Sequence, residues 1–245
     1  MIDFTQDAHV HTSFSPDADP KAMFLSYVER AKAIGLKSIV FTDHVDFDAK
    51  HPLFKDMIDY DDYIKAFNEA KQASSIPIYL GVEVGYQSQV KDQINAFLAQ
   101  YPFEFVILSV HYVKEQDLYT QAFFKKRTKE EAYALYFDQV LDAIQEIKQF
   151  DVIGHLDYIT RYSPFGMYRH TSYQTKIDTI LSALIDRNKG IEINTSGFAT
   201  EDRMYPTKQI VDRFIELGGS KITIGSDAHQ VSELGRYFDH VKTLI

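Results

Sequence analysis

Seven short runs of mostly apolar, β-forming residues punctuate the chain, and amphipathic stretches lie between them. The runs fall at residues 4–10, 37–43 (KSIVFTD), 76–84 (IPIYLGVEV), 104–110 (EFVILSV), 151–155 (DVIGH), 190–195 (GIEINT) and 221–227 (KITIGSD). Several are apolar without alternation, the pattern of parallel strands buried on both faces. The intervening spacing predicts helices. In PKAMFLSYVERAKAIG, Met23, Tyr27, Ala31 and Ile34 fall on one face and Gly35 ends the helix. DYIKAFNEAKQAS, KDQINAFLAQY, KEEAYALYFDQVLDAIQEIKQ, SYQTKIDTILSALIDRNKG and TKQIVDRFIELGG read the same way. Strand–helix alternation predicts an α/β protein, either a barrel or a doubly wound sheet. No linker, low-complexity segment or sequence repeat interrupts it, so residues 1–245 read as a single domain.

Composition narrows the chemistry. The 245 residues are 45% hydrophobic, enough for one sizeable core, and contain no cysteine. Disulfides and thiolate metal sites are therefore excluded, and any metal must be held by histidine and carboxylate. The opening MIDFTQD has no basic segment followed by an apolar one, and no apolar run reaches the length of a membrane span. A soluble, cytoplasmic protein without a membrane partner is expected. A formal net charge of −9 argues against broad binding to a nucleic-acid backbone. The densest basic run, KKRTK at 125–129, reads as a solvated approach to a helix. Oligomeric state has no sequence signal here.

Polar residues gather where the apolar runs stop. In DAHVHTSFSPDAD, His9 and His11 are two apart on an extended segment and project to the same side, with Asp17 six residues beyond. Asp43 and His44 follow the second run, Glu83 closes the third, His111 follows the fourth and His155 ends the fifth. Asn194 and Ser196 end the sixth, Asp227 and His229 the seventh. In a parallel barrel these ends share one face, where barrel active sites are built. Six of the nine histidines occupy such positions, leaving His51, His170 and His240 as solvated loop or surface residues. Glu83 lies between Val82 and Val84; an unpaired carboxylate there would be costly, and a metal ion would satisfy it. Gly81 and Gly85 read as markers of close packing.

In order and spacing, DAHVHTSFSPDAD, FTDH, GVEVG, SVHY, GHLDYITRY and GSDAH resemble the PHP (polymerase and histidinol phosphatase) family of metal-dependent phosphoesterases, over nearly the whole chain. The resemblance implies a distorted, TIM-barrel-like (β/α)7 barrel. The GVEVG and GHLDYITRY forms resemble the histidinol-phosphate phosphatase branch, which implies hydrolysis of L-histidinol phosphate in histidine biosynthesis. It further implies three divalent ions, zinc, manganese or iron. His9, His11, Glu83 and Asp227 would hold the first; Glu83, bridging, would hold the second with His111 and His155; Asp17, His44 and His229 would hold the third. Some members carry histidine at the position of Asp17.

Such a set leaves coordination positions open for water and substrate. The expected reaction is in-line attack on phosphorus by a hydroxide bridging two metals. Arg161 is the candidate phosphate ligand, since its planar fork suits two oxygens at once. Asp227 or His229 is the candidate proton source for the leaving alkoxide. Phe14, Tyr112, Tyr162, Phe165 and Phe198 are candidate pocket walls. The alternative activities are a phosphodiesterase or exonuclease and a protein tyrosine phosphatase, which an exposed basic cluster or an open stacking groove would favour.

Overall fold

A computed structural model describes residues 2–54 and 57–245. Seven parallel strands pair in sequence order: β1 (Gln6–Val10), β2 (Ser38–Phe41), β3 (Ile78–Gly85), β4 (Phe105–Ser109), β5 (Val152–Ile153), β6 (Gly190–Asn194) and β7 (Ile222–Gly225). The first and last strands meet, because Asp227 donates its backbone N–H to the His9 carbonyl and His11 donates to that of Ala228, both at 2.9 Å. The sheet thus nearly closes into a distorted barrel. The doubly wound alternative falls away, since an open sheet would leave β1 and β7 on separate edges.

Helices α1 (Phe24–Ile34), α2 (Tyr60–Ala73), α3 (Lys91–Gln100), α4 (Lys129–Glu146), α5 (His170–Asp186), α6 (Lys208–Glu216) and α7 (Phe238–Leu244) surround the strands. Their starts follow local chemistry. Asp59 accepts the N–H groups of Asp61 and Asp62 at the head of α2, and Thr128 with Glu131 forms a capping box on α4. Gly35 ends α1 in the left-handed region, φ +81°, as its position predicts. The buried face of α1 is Phe24, Tyr27, Val28 and Ala31: Tyr27 and Ala31 stand where expected, while Met23 and Ile34 are exposed. Met23 is the extended residue before the helix, so its side chain leaves the helical face and is 51% exposed.

The strands are shorter than the apolar runs that announce them, and the lost residues are chemical ones. β5 ends at Ile153 and β7 at Gly225, where His155 (φ +24°) and Asp227 (φ +54°) turn out of register. Both side chains occupy strained backbone at the rim, as site residues often do. After β2 the chain kinks and a two-residue segment, His44–Val45, pairs with β3 so that His44 lies beside Glu83. Gly81 and Gly85 mark close approach: a Cβ at the first would crowd the Phe41 carbonyl, and at the second would overlap the Asp46 carboxylate. Arg127 of the basic run is not solvated as expected, since it packs on the Phe123 ring and bonds Gln116. No helix of the described residues is long and apolar enough to cross a membrane.

Candidate metal centre

The rim at the C-terminal ends of the strands brings the nine expected ligands into one cluster built around Glu83. Its two carboxylate oxygens face different partners. Oε2 lies 3.3 Å from His9 Nε2, 3.6 Å from His11 Nε2 and 3.0 Å from His44 Nδ1. Oε1 lies 3.3 Å from His111 Nε2 and 3.0 Å from His155 Nε2, and also accepts the Ser109 hydroxyl at 2.7 Å. Asp227 Oδ1 is 3.3 Å from His11 Nε2, while Asp17 Oδ2 sits 3.0 Å from His229 Nε2 and 3.6 Å from His44 Nε2. Glu83, His9 and His11 are almost wholly buried.

Three features of this packing suit cations rather than direct hydrogen bonding. His9 Nδ1 is held 2.5 Å from Glu192 Oε1, which assigns the ring proton to that nitrogen and leaves Nε2 facing the Nε2 of His11 at 3.0 Å. Two lone pairs at that separation repel unless a positive charge is shared between them. Second, His44 Nδ1 is buried 3.0 Å from Glu83 Oε2 yet misaligned for a hydrogen bond, the geometry of two ligands converging on one ion. Third, the His11 ring stacks on those of His44 and His229, both at 4.2 Å, which three cationic rings could not do comfortably.

The same contacts shift the ionisable groups strongly, carboxylates downwards and most of the imidazoles upwards. Burial alone would raise Glu83, but His9, His44 and His111 outweigh it and hold its carboxyl well below the usual range. Burial would likewise raise Asp227, and His9 with the neighbouring imidazoles overrides it downwards. Burial would lower His111, but Asp46 and Glu83 lift it to about 10. His11, desolvated and beside His229 and His44, is pushed down to about 3, so it offers a free lone pair at neutral pH. Imidazole and carboxylate in these proportions form a donor set for zinc, manganese or iron.

A supporting layer fixes the rings, and much of it is unannounced in the sequence. Glu192 on β6 binds His9 with one oxygen and accepts the His155 backbone N–H at 2.9 Å with the other. It fits there because Gly225 leaves its space open: a Cβ at that position would strike both His9 and Glu192. Asp46 holds His111 Nδ1 at 3.1 Å. Asp43, fully buried, accepts the backbone N–H and hydroxyl groups of both Thr12 and Ser15, pinning the loop after His11. Asp7 accepts the N–H of Ser226 at 2.9 Å and of Gly235 at 2.9 Å, and Arg236 clamps the carbonyls of Ser226 and Asp227. Glu192 carries the same signal as Glu83, a carboxylate between apolar neighbours, here Ile191 and Ile193.

The cluster floors a cavity of about 270 Å³. Arg161 lines it, donating to Ser196 Oγ at 3.1 Å and lying 4.0 Å from Asp227 Oδ2. The walls form a closed collar of rings. From His44 it runs through Phe54, His51, Tyr119, Tyr162 and Tyr158 to His111 and back to His44, with neighbouring centroids 5.3–5.8 Å apart. Two expectations change here. His51 is part of the collar rather than a solvated residue, because the loop after His44 folds over the mouth. Of the expected aromatic walls, Tyr112 and Tyr162 line the cavity. Phe14 instead packs on Tyr63, Phe165 on Phe124 and Phe198 on His240, each drawn into apolar contacts away from the opening.

Comparison with known proteins agrees with this geometry. The chain is 32% identical over 238 residues to a probable histidinol-phosphatase of Clostridium acetobutylicum, covering 95% of this chain and 89% of the relative. It is 33% identical over 228 residues to the histidinol-phosphatase of Lactococcus lactis subsp. lactis, covering 91% and 83%. A crystal structure of the Lactococcus lactis histidinol phosphate phosphatase, complexed with zinc, L-histidinol and phosphate, superposes with a TM-score of 0.86 at 32% identity, covering 100% of this chain and 93% of that one. A family model for the PHP domain matches residues 7–196. With that match spanning most of the barrel and the motif residues gathered at one rim, the chain belongs to the PHP domain family.

Proposed function

We propose that this protein is a metal-dependent phosphomonoesterase that hydrolyses L-histidinol phosphate to L-histidinol and phosphate. The observation that carries the reading is the split of Glu83, whose two oxygens face separate groups of imidazoles at the floor of a small cavity, in a chain that superposes end to end on an enzyme holding zinc, L-histidinol and phosphate. His9, His11, Glu83 and Asp227 would hold one ion, Glu83, His111 and His155 a second, and Asp17, His44 and His229 a third. Bound there, zinc, manganese or iron would lower the pKa of a coordinated water towards neutrality and offset charge on the phosphoryl oxygens.

The remaining work falls to the protein. Three divalent ions against the carboxylates of Asp17, Glu83 and Asp227 would leave a positive floor, which a phosphate monoester dianion would largely offset despite the acidic surface. Arg161, its guanidinium already turned towards Asp227, binds phosphoryl oxygens and holds phosphorus in line between water and leaving oxygen. As the new P–O bond forms and the P–O bond to histidinol breaks, the departing alkoxide takes a proton. His229 has both ring nitrogens occupied, Nδ1 on the Asp227 carbonyl at 3.1 Å and Nε2 beside Asp17. Asp227 Oδ2, which among the described residues accepts the Ser196 hydroxyl at 3.2 Å, is the better placed atom to take the proton released by the attacking water and pass it to the alkoxide through a second water. Replacing Arg161 with alanine is expected to lower kcat/KM about 100-fold or more while bound metal stays constant. Steady-state kinetics with metal analysis checks this, and an unimpaired variant would remove Arg161 from the site.

The closed collar favours a small ester over a polymer, since an oligonucleotide would need an open groove on which to lie. Comparing kcat/KM for L-histidinol phosphate, an aryl phosphate, a phosphotyrosyl peptide and a short oligonucleotide tests the substrate. L-histidinol phosphate is expected to lead by orders of magnitude; a lead by the oligonucleotide would overturn the assignment and leave the barrel untouched.

A further inference from the structure

Arg161, the side chain assigned to the phosphate, is held at its head and at its base by one neighbouring loop. It rides on the turn that follows His155, in a short helical segment at Ile159–Tyr162. The loop after β6 closes on itself, because Asn194 donates its N–H to the Tyr205 carbonyl at 2.7 Å and Tyr205 donates back to Asn194 at 2.9 Å. Near the start of that loop, Ser196 Oγ accepts the Arg161 guanidinium at 3.1 Å. Near its end, Arg203 reaches back to the turn. Its Nη2 donates to the Thr160 hydroxyl, its Nε donates to Glu201 at 2.8 Å, and its Nη1 lies 3.8 Å from Asp157 Oδ2. The guanidinium also lies over the Tyr205 ring, 4.4 Å from the centroid.

Asp157 stands between the ligand His155 and Arg161 and is fully buried. Its Oδ2 accepts the Thr207 N–H at 3.2 Å and the Tyr168 hydroxyl at 3.3 Å, and among the described residues Oδ1 has no hydrogen-bond partner. A carboxylate so enclosed needs a counter-charge, which Arg203 supplies. Neutralisation alone would need any cation. The planar fork does more, since it also grips Thr160, the residue directly before Arg161, whose hydroxyl in turn donates to the Asp157 carbonyl at 2.8 Å. Neither Asp157 nor Arg203 lines the cavity, so any effect of this pair on substrate passes through the turn.

Resting on the phosphatase reading above, we propose that Arg203 is a positioning residue for phosphate binding: by gripping Thr160 and Asp157 together it sets the direction in which Arg161 enters the cavity. A long, flexible side chain fixed at both ends has little freedom left to lose when an anion arrives. Released at its base, the same side chain would meet the phosphoryl oxygens in many orientations.

The test is Arg203→Lys in wild type and in Arg161→Ala, each loaded with the same metal. Lysine keeps the charge beside Asp157 and removes the fork. In the wild-type background, kcat/KM for L-histidinol phosphate is expected to fall about 30-fold and the inhibition constant of inorganic phosphate to rise about 10-fold, while bound metal and inhibition by L-histidinol stay unchanged. In Arg161→Ala the same substitution is expected to change kcat/KM less than about twofold, because the group it positions is gone. Thr160→Val removes the gripped hydroxyl and leaves the Arg203–Asp157 pair; it is expected to reproduce the effect on phosphate, and it decides the matter if the lysine variant does not fold. Equal losses in both backgrounds, weakened L-histidinol inhibition or lost metal would show a merely structural role and overturn the proposal. So would unimpaired variants, an outcome that leaves the phosphatase reading standing. A wild type that neither hydrolyses the ester nor binds phosphate would overturn both.

Discussion

Glu83→Ala is expected to lose bound metal and phosphatase activity together, with kcat/KM down by at least about a thousandfold. That factor corresponds to about 4 kcal/mol, within the several kcal/mol that metal ions contribute to stabilising a phosphoryl transition state. The size of the effect follows from position. Five imidazoles approach this one carboxylate within 3.0–3.6 Å, and its two oxygens face different groups of them. Glu83→Gln tests the charge separately from the shape: it keeps the volume but brings an amide N–H towards rings that must offer lone pairs. Metal content after gel filtration and kcat/KM on L-histidinol phosphate are the measurements, with circular dichroism to confirm a folded barrel. A fully active, metal-replete Glu83→Ala protein would end the proposed mechanism.

Glu192→Gln is expected to weaken zinc binding about 10- to 100-fold although Glu192 is not placed among the ligands. The carboxylate receives two N–H groups, one from the His9 ring and one from the His155 backbone. An amide can accept from only one of them. If its NH2 turns to His9, that ring must give up its Nδ1 proton and present Nε2–H to the ion; if it turns to His155, two donors face each other in a buried site. Either arrangement disturbs a ligand. Competition with a chromogenic chelator reports the affinity, and thermal unfolding of the metal-stripped proteins separates ligand positioning from general destabilisation. Unchanged zinc affinity in a variant that is simply less stable would assign Glu192 to packing alone.

The strand ends were legible because each broadcasts a local signal, a β-forming run that stops at a polar or ionisable residue. That signal marks eight of the nine candidate ligands, Asp17 being assigned only by the family resemblance, and gives no bearing on the layer behind them. Glu192, between Ile191 and Ile193, is as conspicuous as Glu83 between Val82 and Val84. Nothing local says that one carboxylate faces the cavity while the other lies beneath His9, because that depends on strand pairing and on the space left at Gly225. Arg236 was hidden for a different reason: it lies nine residues after Asp227, in a turn whose return to the Ser226 and Asp227 carbonyls is purely tertiary. The cavity wall was half legible. Tyr112 and Tyr162 stand near ligand motifs, whereas His51, Phe54 and Tyr119 reach the mouth only because the loops carrying them fold over it.

The barrel seam lies inside the chemistry. The two backbone bonds that join β1 to the segment after β7 involve His9, His11, Asp227 and Ala228, so three of the four residues at the join also point side chains into the cluster. The N-terminal and C-terminal strands are more than two hundred residues apart in the chain, among the most distant pairings the topology contains. An ion gripping His9, His11 and Asp227 would therefore act as a clasp across the last gap to shut, adding its affinity to the cohesion of the cylinder. Assembly and activation become one event: until the final strand arrives there is no complete nest for the cation, and a nascent chain stays inert towards phosphate esters.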